Sequence, residues 1–217
     1  MLAIIPAKQK SKRLPNKNIK LLLNEPLIAH TIKSALKSKK ITRIIVSTDS
    51  KKIAKIAIKY GAEVPFLRDA KLTKDKINTW DVSKDVIKKL KIKENKTYES
   101  FIYLQPSSPL RSAQDIDNAI KKFKTKKANA VVSVSETKPK FWFKSISNQG
   151  KMSETIKDKK KHYLLNGAIF IFKTKFIEKS KANNYGKNCF AYIIPAERAV
   201  DIDTLIDFKV AEFILKK

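Results

Sequence analysis

The stretch IIPAKQKSKRLPNKN, residues 4 to 18, starts as an apolar segment and turns at Pro6 into a loop with five cations: Lys8, Lys10, Lys12, Arg13 and Lys17. It holds two prolines and no glycine. Its meaning depends on what surrounds it. LAIIPA (2 to 7) reads as a buried strand, and IAHTIKSALKSK (28 to 39) sets Ile28, Ile32, Ala35 and Leu36 on one helical face. ITRIIVSTDS (41 to 50) is β-branched and stops in turn residues. KKIAKIAIKYG (51 to 61) is helical, with Gly61 where a C-terminal cap belongs. The unit then repeats. AEVPFL (62 to 67) has the composition of a strand, Val82, Val86, Ile87 and Leu90 mark a helix, and SFIYLQ (100 to 105) is a strand. Ile116, Ala119, Ile120 and Phe123 mark a further helix before the strand AVVSVS (130 to 135).

Strands that are apolar on both faces and alternate with helices imply an α/β fold, a mostly parallel sheet with helices on both sides. Ligands of such folds bind beyond the carboxyl ends of the strands. That rule selects the loop after LAIIPA, the STDS after RIIV and the QPSSPLR after FIYL. From about Lys138 to Leu165 the rhythm breaks, which reads as an antiparallel insertion or a flexible flap. NGAIFIFK (166 to 173) and CFAYIIP (189 to 195) are again strand-like, and Ile206, Val210, Phe213 and Ile214 place a final amphipathic helix. With no internal repeat and no low-complexity linker, residues 1 to 217 read as one domain with an excursion.

The net charge of +28 raises the question of a polyanion partner. Its make-up points elsewhere. Only five of the basic residues are Arg and 43 are Lys, whereas base readers rely on the planar guanidinium fork. The lysines are spread over every segment beside 27 Ile, the pattern of an AT-rich codon bias, so neither nucleic acid nor membrane is expected as a partner. Cys189 is the only cysteine, which excludes an intrachain disulfide or a Cys-based zinc site and fits a reducing compartment. MLAII is too short for a signal-peptide core and no run of about 18 apolar residues occurs, so a cytoplasmic, soluble protein is expected.

Three loop segments carry potential chemistry. The opening loop places cations and free backbone amides at a strand end, which is what a leaving pyrophosphate needs. It is neither a Walker loop nor a dinucleotide fingerprint, since no glycine precedes Gly61. By charge alone a solvated basic face is the favoured reading. AVDIDTLIDF holds Asp201, Asp203 and Asp207; the first two, at i and i+2 on an extended segment, aim to one side about 6–7 Å apart. Such a pair suits Mg²⁺, while Asp203 alone could equally cap the final helix. QPSSPLR (105 to 111) is stiffened by two prolines and offers two hydroxyls and an arginine, either a substrate ledge or a rigid turn.

Taken together, IIPAKQKSKRLPNKN, RIIVSTDS, YGAEVPFLRDAKLTKD, LQPSSPLR, NGAIFIF and VDIDTLIDF resemble, in order and spacing, the acylneuraminate cytidylyltransferases, or CMP-sialic acid synthetases, over essentially the whole chain. The resemblance implies a Rossmann-like nucleotidyltransferase that joins CTP to a nine-carbon 2-keto sugar acid with Mg²⁺ (or Mn²⁺). It also implies a homodimer whose arm corresponds to residues 138 to 165, with Phe141, Trp142 and Phe143 at an interface or acyl pocket, plain core packing being an equal reading of that aromatic run. By resemblance, Lys8, Ser11, Lys12 and Lys17 hold the triphosphate and Asn18 contacts the nucleotide. Arg68 and Thr79 line the cytidine pocket, Gln105, Ser107 and Arg111 form the sugar wall, and Asp201 and Asp203 bind metal. Lys8, Lys17 and Asp201 are the expected catalytic residues, Asp201 assisting deprotonation of the attacking hydroxyl. Two departures stand out: Lys8 replaces a usual arginine, and Leu164 stands where many sialic acid enzymes carry one. The nearest rival is a cytidylyltransferase for the eight-carbon acid of lipopolysaccharide; a basic nucleic-acid-binding protein is the rival from another class. His30 and His162 fall in no recognised motif and read as structural or exposed.

Overall fold

A computed structural model describes residues 1–74, 77–137, 161–181 and 184–216. Among these described residues, eight strands and six helices follow in chain order: β1 (Leu2–Pro6), β2 (Leu21–Leu22), β3 (Glu25–Pro26), α1 (Leu27–Leu36), β4 (Arg43–Ser47), α2 (Lys51–Lys59), α3 (Thr79–Glu94), β5 (Ser100–Tyr103), α4 (Ala113–Thr125), β6 (Ala130–Thr137), β7 (His162–Lys173), α5 (Thr174–Lys179), β8 (Cys189–Ile193) and α6 (Leu205–Leu215). Six strands form one sheet in the order β4-β1-β5-β7-β6-β8, and β2 and β3 form a small hairpin. β1 is parallel to β4 and β5, and β8 is parallel to β6. β7 alone runs against its neighbours, antiparallel to both β5 and β6.

The alternation of side chains along β1 divides the core. Ala3 and Ile5 join a cluster with Ile28 and Ile32 of α1, Ala57 of α2 and Ile116 and Ile120 of α4. Leu2 and Ile4 point the other way, toward Trp80, Val86 and Leu90 of α3 and Ile177 of α5. Helices therefore cover both faces, as doubly apolar strands require. A third, smaller cluster joins Leu14 of the basic loop, Leu22 of the hairpin, Ile202, and Phe208 and Ala211 of α6. It anchors the basic loop and the aspartate segment, because Leu14 sits among the loop's cations and Ile202 lies between Asp201 and Asp203.

Several expectations change. AEVPFL is not a strand: Glu63 makes a single bridge to Ile45, and Pro65, which has no N–H, cannot continue the ladder. Residues 162–165 belong to the sheet, with His162 through Leu165 paired to Val134–Thr137. The last four residues of the excursion therefore belong to the sheet, while residues 138–160, including Phe141, Trp142 and Phe143, lie outside the described residues. Leu36 is exposed, not packed beneath α1. In α6 the buried residues are Phe208 and Ala211, and the predicted stripe of Ile206, Val210 and Phe213 faces outward. That helix is apolar on most sides, so periodicity does not select its inner face.

Candidate active site

A cleft of about 560 Å³ opens at the carboxyl ends of β1 and β5, large enough for a small-molecule ligand. Its walls are the loop after β1, the segment leading into α3 and the ledge after β5.

The basic loop contributes Lys8, Ser11, Lys12, Arg13 and Lys17 to one end of the cleft, whereas Lys10 is exposed and outside it. The loop keeps its shape through a few fixed points. Asn18 is buried and donates from Nδ2 to the Lys8 carbonyl at 2.9 Å, and the Gln9 amide donates to Asp49 Oδ1 at 2.8 Å. Asn18 thus braces the loop as well as lining the cleft. Leu14 is pinned in the third cluster, and Lys17 reaches across the cleft to donate to the Ile202 carbonyl at 2.6 Å.

At the opposite wall, Arg68 and Thr79 line the cleft beside Tyr103. Arg68 is buried against the end of β4: Nε donates to Ser47 Oγ at 3.0 Å and its own amide donates to the Thr48 carbonyl at 2.7 Å. Burial lowers its pKa, opposed by Tyr103 and Asp49. Tyr103, at the last position of β5, is hydrogen-bonded to Thr79, and complete burial pushes its phenol up to about 12. It stays neutral and serves as a wall. STDS caps α2 through Ser50 and supports the loop through Asp49, and none of its residues lines the cleft.

Gln105, Pro106 and Ser107 form the ledge at the third side. Ser107 Oγ donates to Gln105 Oε1 at 3.4 Å, and the Ile202 amide donates to the Ser107 carbonyl at 2.8 Å, which fastens the aspartate segment to the ledge. Arg111 stands beneath this ledge and braces it, without reaching the cleft itself. It is 1% exposed and does not line the cleft; from beneath, Nη1 donates to the carbonyls of Ala168 (2.8 Å) and Gln105 (3.3 Å). Nε and Nη2 lack partners among the described residues, and burial pushes the guanidinium down to about 9, partly offset by Asp115. It remains protonated at neutral pH.

Asp203 lines the cleft with Oδ2 at 2.7 Å from Arg13 and Oδ1 at 3.2 Å from Lys17. It is not the cap of α6: Thr204 caps the helix in a reciprocal box with Asp207. Asp201 sits behind Gln105, near enough that a side chain at Gly167 would meet its Oδ2 at 3.7 Å and Gln105 Oε1 at 2.9 Å. Gly167 has φ +72°, so the β6–β7 irregularity both needs glycine and leaves room for these two groups. Although Asp201 as a residue is exposed, its carboxyl is crowded by protein; this desolvation raises its pKa, Asp203 adds to the rise, and Ser107, Lys17 and Arg13 oppose it. The segment thus offers hard carboxylate oxygens, which suit a divalent cation, with Arg13 and Lys17 already paired to Asp203. Among the described residues no group of three or more His, Cys, Asp or Glu is arranged for a metal, so any ion here takes further ligands from water or a substrate.

Arg13, Tyr103 and Gly167 belong to the site without a role that the sequence alone indicates. The glycine of NGAIFIF and the tyrosine ending SFIY were visible as a strand glycine and a strand-end aromatic, yet neither pattern identifies a cleft on its own.

A sheet covered on both faces, with a cleft at its carboxyl edge lined by the loop cations, by Arg68 and Tyr103 and by Asp203, is where folds of this kind bind their ligands. The sequence matches the cytidylyltransferase family over residues 2–212, and the chain belongs to that family. It is 40% identical to the CMP-N,N'-diacetyllegionaminic acid synthase of Legionella pneumophila, covering 100% of this chain and 96% of that protein. It is 37% identical to the N-acylneuraminate cytidylyltransferase of Escherichia coli over 100% of this chain and 52% of that longer protein. The fold also matches a solved CMP:2-keto-3-deoxy-manno-octonic acid synthetase complexed with CTP, at TM-score 0.76 and 14% identity, over 99% of this chain and 98% of that one.

Proposed function

We propose that this enzyme transfers CMP from CTP to a nonulosonic acid, a nine-carbon 2-keto sugar acid of the sialic, legionaminic or pseudaminic type, and releases pyrophosphate. The observation that carries the reading is one cleft lined at once by Arg68 and Thr79, by the basic loop, by Gln105 and Ser107, and by Asp203. Its three sides suit a base, a triphosphate and a polyhydroxylated acid. The full-length relation to the legionaminic acid synthase supports a nine-carbon acceptor.

The anomeric hydroxyl attacks the α-phosphorus, the bond to the bridging oxygen of pyrophosphate breaks, and the hydroxyl proton passes to a base. Asp201, with its raised pKa and its place behind Gln105, is suited to take that proton directly or through water. Lys8, Lys12 and Lys17 neutralise charge building on the leaving pyrophosphate, and the fixed loop holds them in place beforehand. Asp201 and Asp203 would hold Mg²⁺ or Mn²⁺, which supplies charge neutralisation on the phosphates when bound. The protein acts as a cytoplasmic homodimer. The exposed apolar strip Tyr163, Leu164 and Leu165, continuing β7 beyond the sheet core toward the excursion, supports this assembly.

The direct test is ³¹P NMR of CTP mixed with the enzyme, Mg²⁺ and each nine-carbon acid. A CMP-diester resonance appearing with pyrophosphate is expected for at least one of the acids. CTP left intact with all of them, alongside micromolar binding of random duplex DNA at physiological salt, would establish the nucleic-acid reading instead.

A further inference from the structure

Asp203 is held by two cations of the basic loop, and the two are held very differently. Lys17 has a side chain only 16% exposed and is also fixed by the Ile202 carbonyl at 2.6 Å. Arg13 is 68% exposed and reaches Asp203 Oδ2 at 2.7 Å, with no backbone acceptor among its described hydrogen bonds. Both line the cleft.

We propose that the Arg13–Asp203 pair is an exchangeable latch that couples divalent-cation binding to nucleotide binding. Resting on the reading of Asp203 as a metal ligand, the inference follows from competition for one negative charge. A divalent cation on Asp203 takes up the carboxylate charge that Arg13 pairs with at Oδ2 and repels the exposed guanidinium. Released, Arg13 has the triphosphate in the same cleft as its nearest anion, and its planar fork matches phosphate oxygens in pairs. An exposed ion pair is worth little, so the exchange is readily reversible. Lys17, tied to a carbonyl, stays in place and keeps the loop in register during the exchange. Metal and nucleotide then favour each other's binding, and the coupling is reciprocal.

The test is Mn²⁺ titrated into the full-length protein and followed by the EPR signal of the free ion, with and without CTP and with no sugar present. Without CTP, Arg13→Ala is expected to bind Mn²⁺ about two- to fivefold more tightly than wild type, the range of an exposed pair. The extra tightening of protein-bound Mn²⁺ by CTP is expected to shrink in that variant. Lys10→Ala, which removes the same charge from the same loop outside the cleft, is expected to match wild type. An equal gain in Lys10→Ala would reduce the effect to net charge and overturn the latch. So would wild-type Mn²⁺ affinity in Arg13→Ala while Asp203→Asn loses the ion, an outcome that leaves the metal reading standing. Unchanged Mn²⁺ binding in Asp203→Asn would remove the metal reading, and the latch with it.

Discussion

The two walls that flank the cleft are built in opposite ways. The basic loop after β1 carries its charges outward and is fastened at a few points, Leu14, Asn18 and Lys17, with Arg13 and Lys12 exposed. The ledge after β5 buries its one cation, and Arg111 holds the Gln105 and Ala168 carbonyls from below. Charge on a leaving pyrophosphate is met by cations presented to the cleft on a fastened loop, whereas orienting a hydroxyl calls for a frame braced from beneath. The aspartate segment joins the two walls, through Lys17 on one side and the Ser107 carbonyl on the other.

The largest expected effect falls on that junction. Asp203→Asn should lower turnover by about 100-fold or more, since even outer-shell partners of a metal cost 10–100-fold. Its melting temperature should stay near that of wild type, because the Thr204–Asp207 box caps α6 without it. A rate within a few-fold of wild type would move Asp203 from the chemistry to the fold.

Arg111→Met comes next and tests the rigid wall. Losing the donor to two carbonyls should loosen Gln105 and raise KM for the sugar by about tenfold, equivalent to roughly 1.4 kcal/mol, with little change in the affinity for CTP. A parallel loss of CTP affinity would mean that the ledge and the loop are not separate units.

A smaller effect concerns pH. The Asp201 carboxyl is raised in the folded state, so the fold binds its proton more tightly than the unfolded chain does, and stability falls as pH rises through that window. Asp201→Asn should therefore melt at a higher temperature than wild type at pH 7, with the gain disappearing at pH 3. A constant difference across that range would show that the carboxyl is not perturbed. The smallest effect is on the basic loop: Lys8→Arg should hold or improve the apparent affinity for CTP, because charge is kept and a fork is added. Isothermal titration with CTP and Mg²⁺ reads it, and a collapse in affinity would mean that the loop is shaped differently from a triphosphate grip.

Much of this arrangement was legible in the sequence. β-Branched runs and helical periods placed the strands β1, β4, β5 and β6 and helices α1 to α4, because doubly buried strands and one-sided helices leave strong patterns. The antiparallel direction of β7 was not legible, since NGAIFIFK is apolar on both faces whichever way it runs. α6 was placed but turned the wrong way, as Ile206 and Phe213 are no less apolar than Phe208. In the site, the cations and carboxylates could be selected as strand-end residues and by family resemblance. The burial of Arg111 could not, because an arginine beneath a loop and one on its surface read alike in one dimension. Arg13 was passed over for the same reason: its significance lies in a contact with Asp203, far away in the chain.

The central claim is most directly tested by kcat/KM for pyrophosphate release from CTP, measured across legionaminic, pseudaminic and sialic acids and the eight-carbon acid of lipopolysaccharide. The account predicts that a nine-carbon acid is the best substrate and exceeds the eight-carbon acid by about 100-fold or more, the scale of about 3 kcal/mol of differential transition-state binding. Equal or greater kcat/KM with the eight-carbon acid would contradict it.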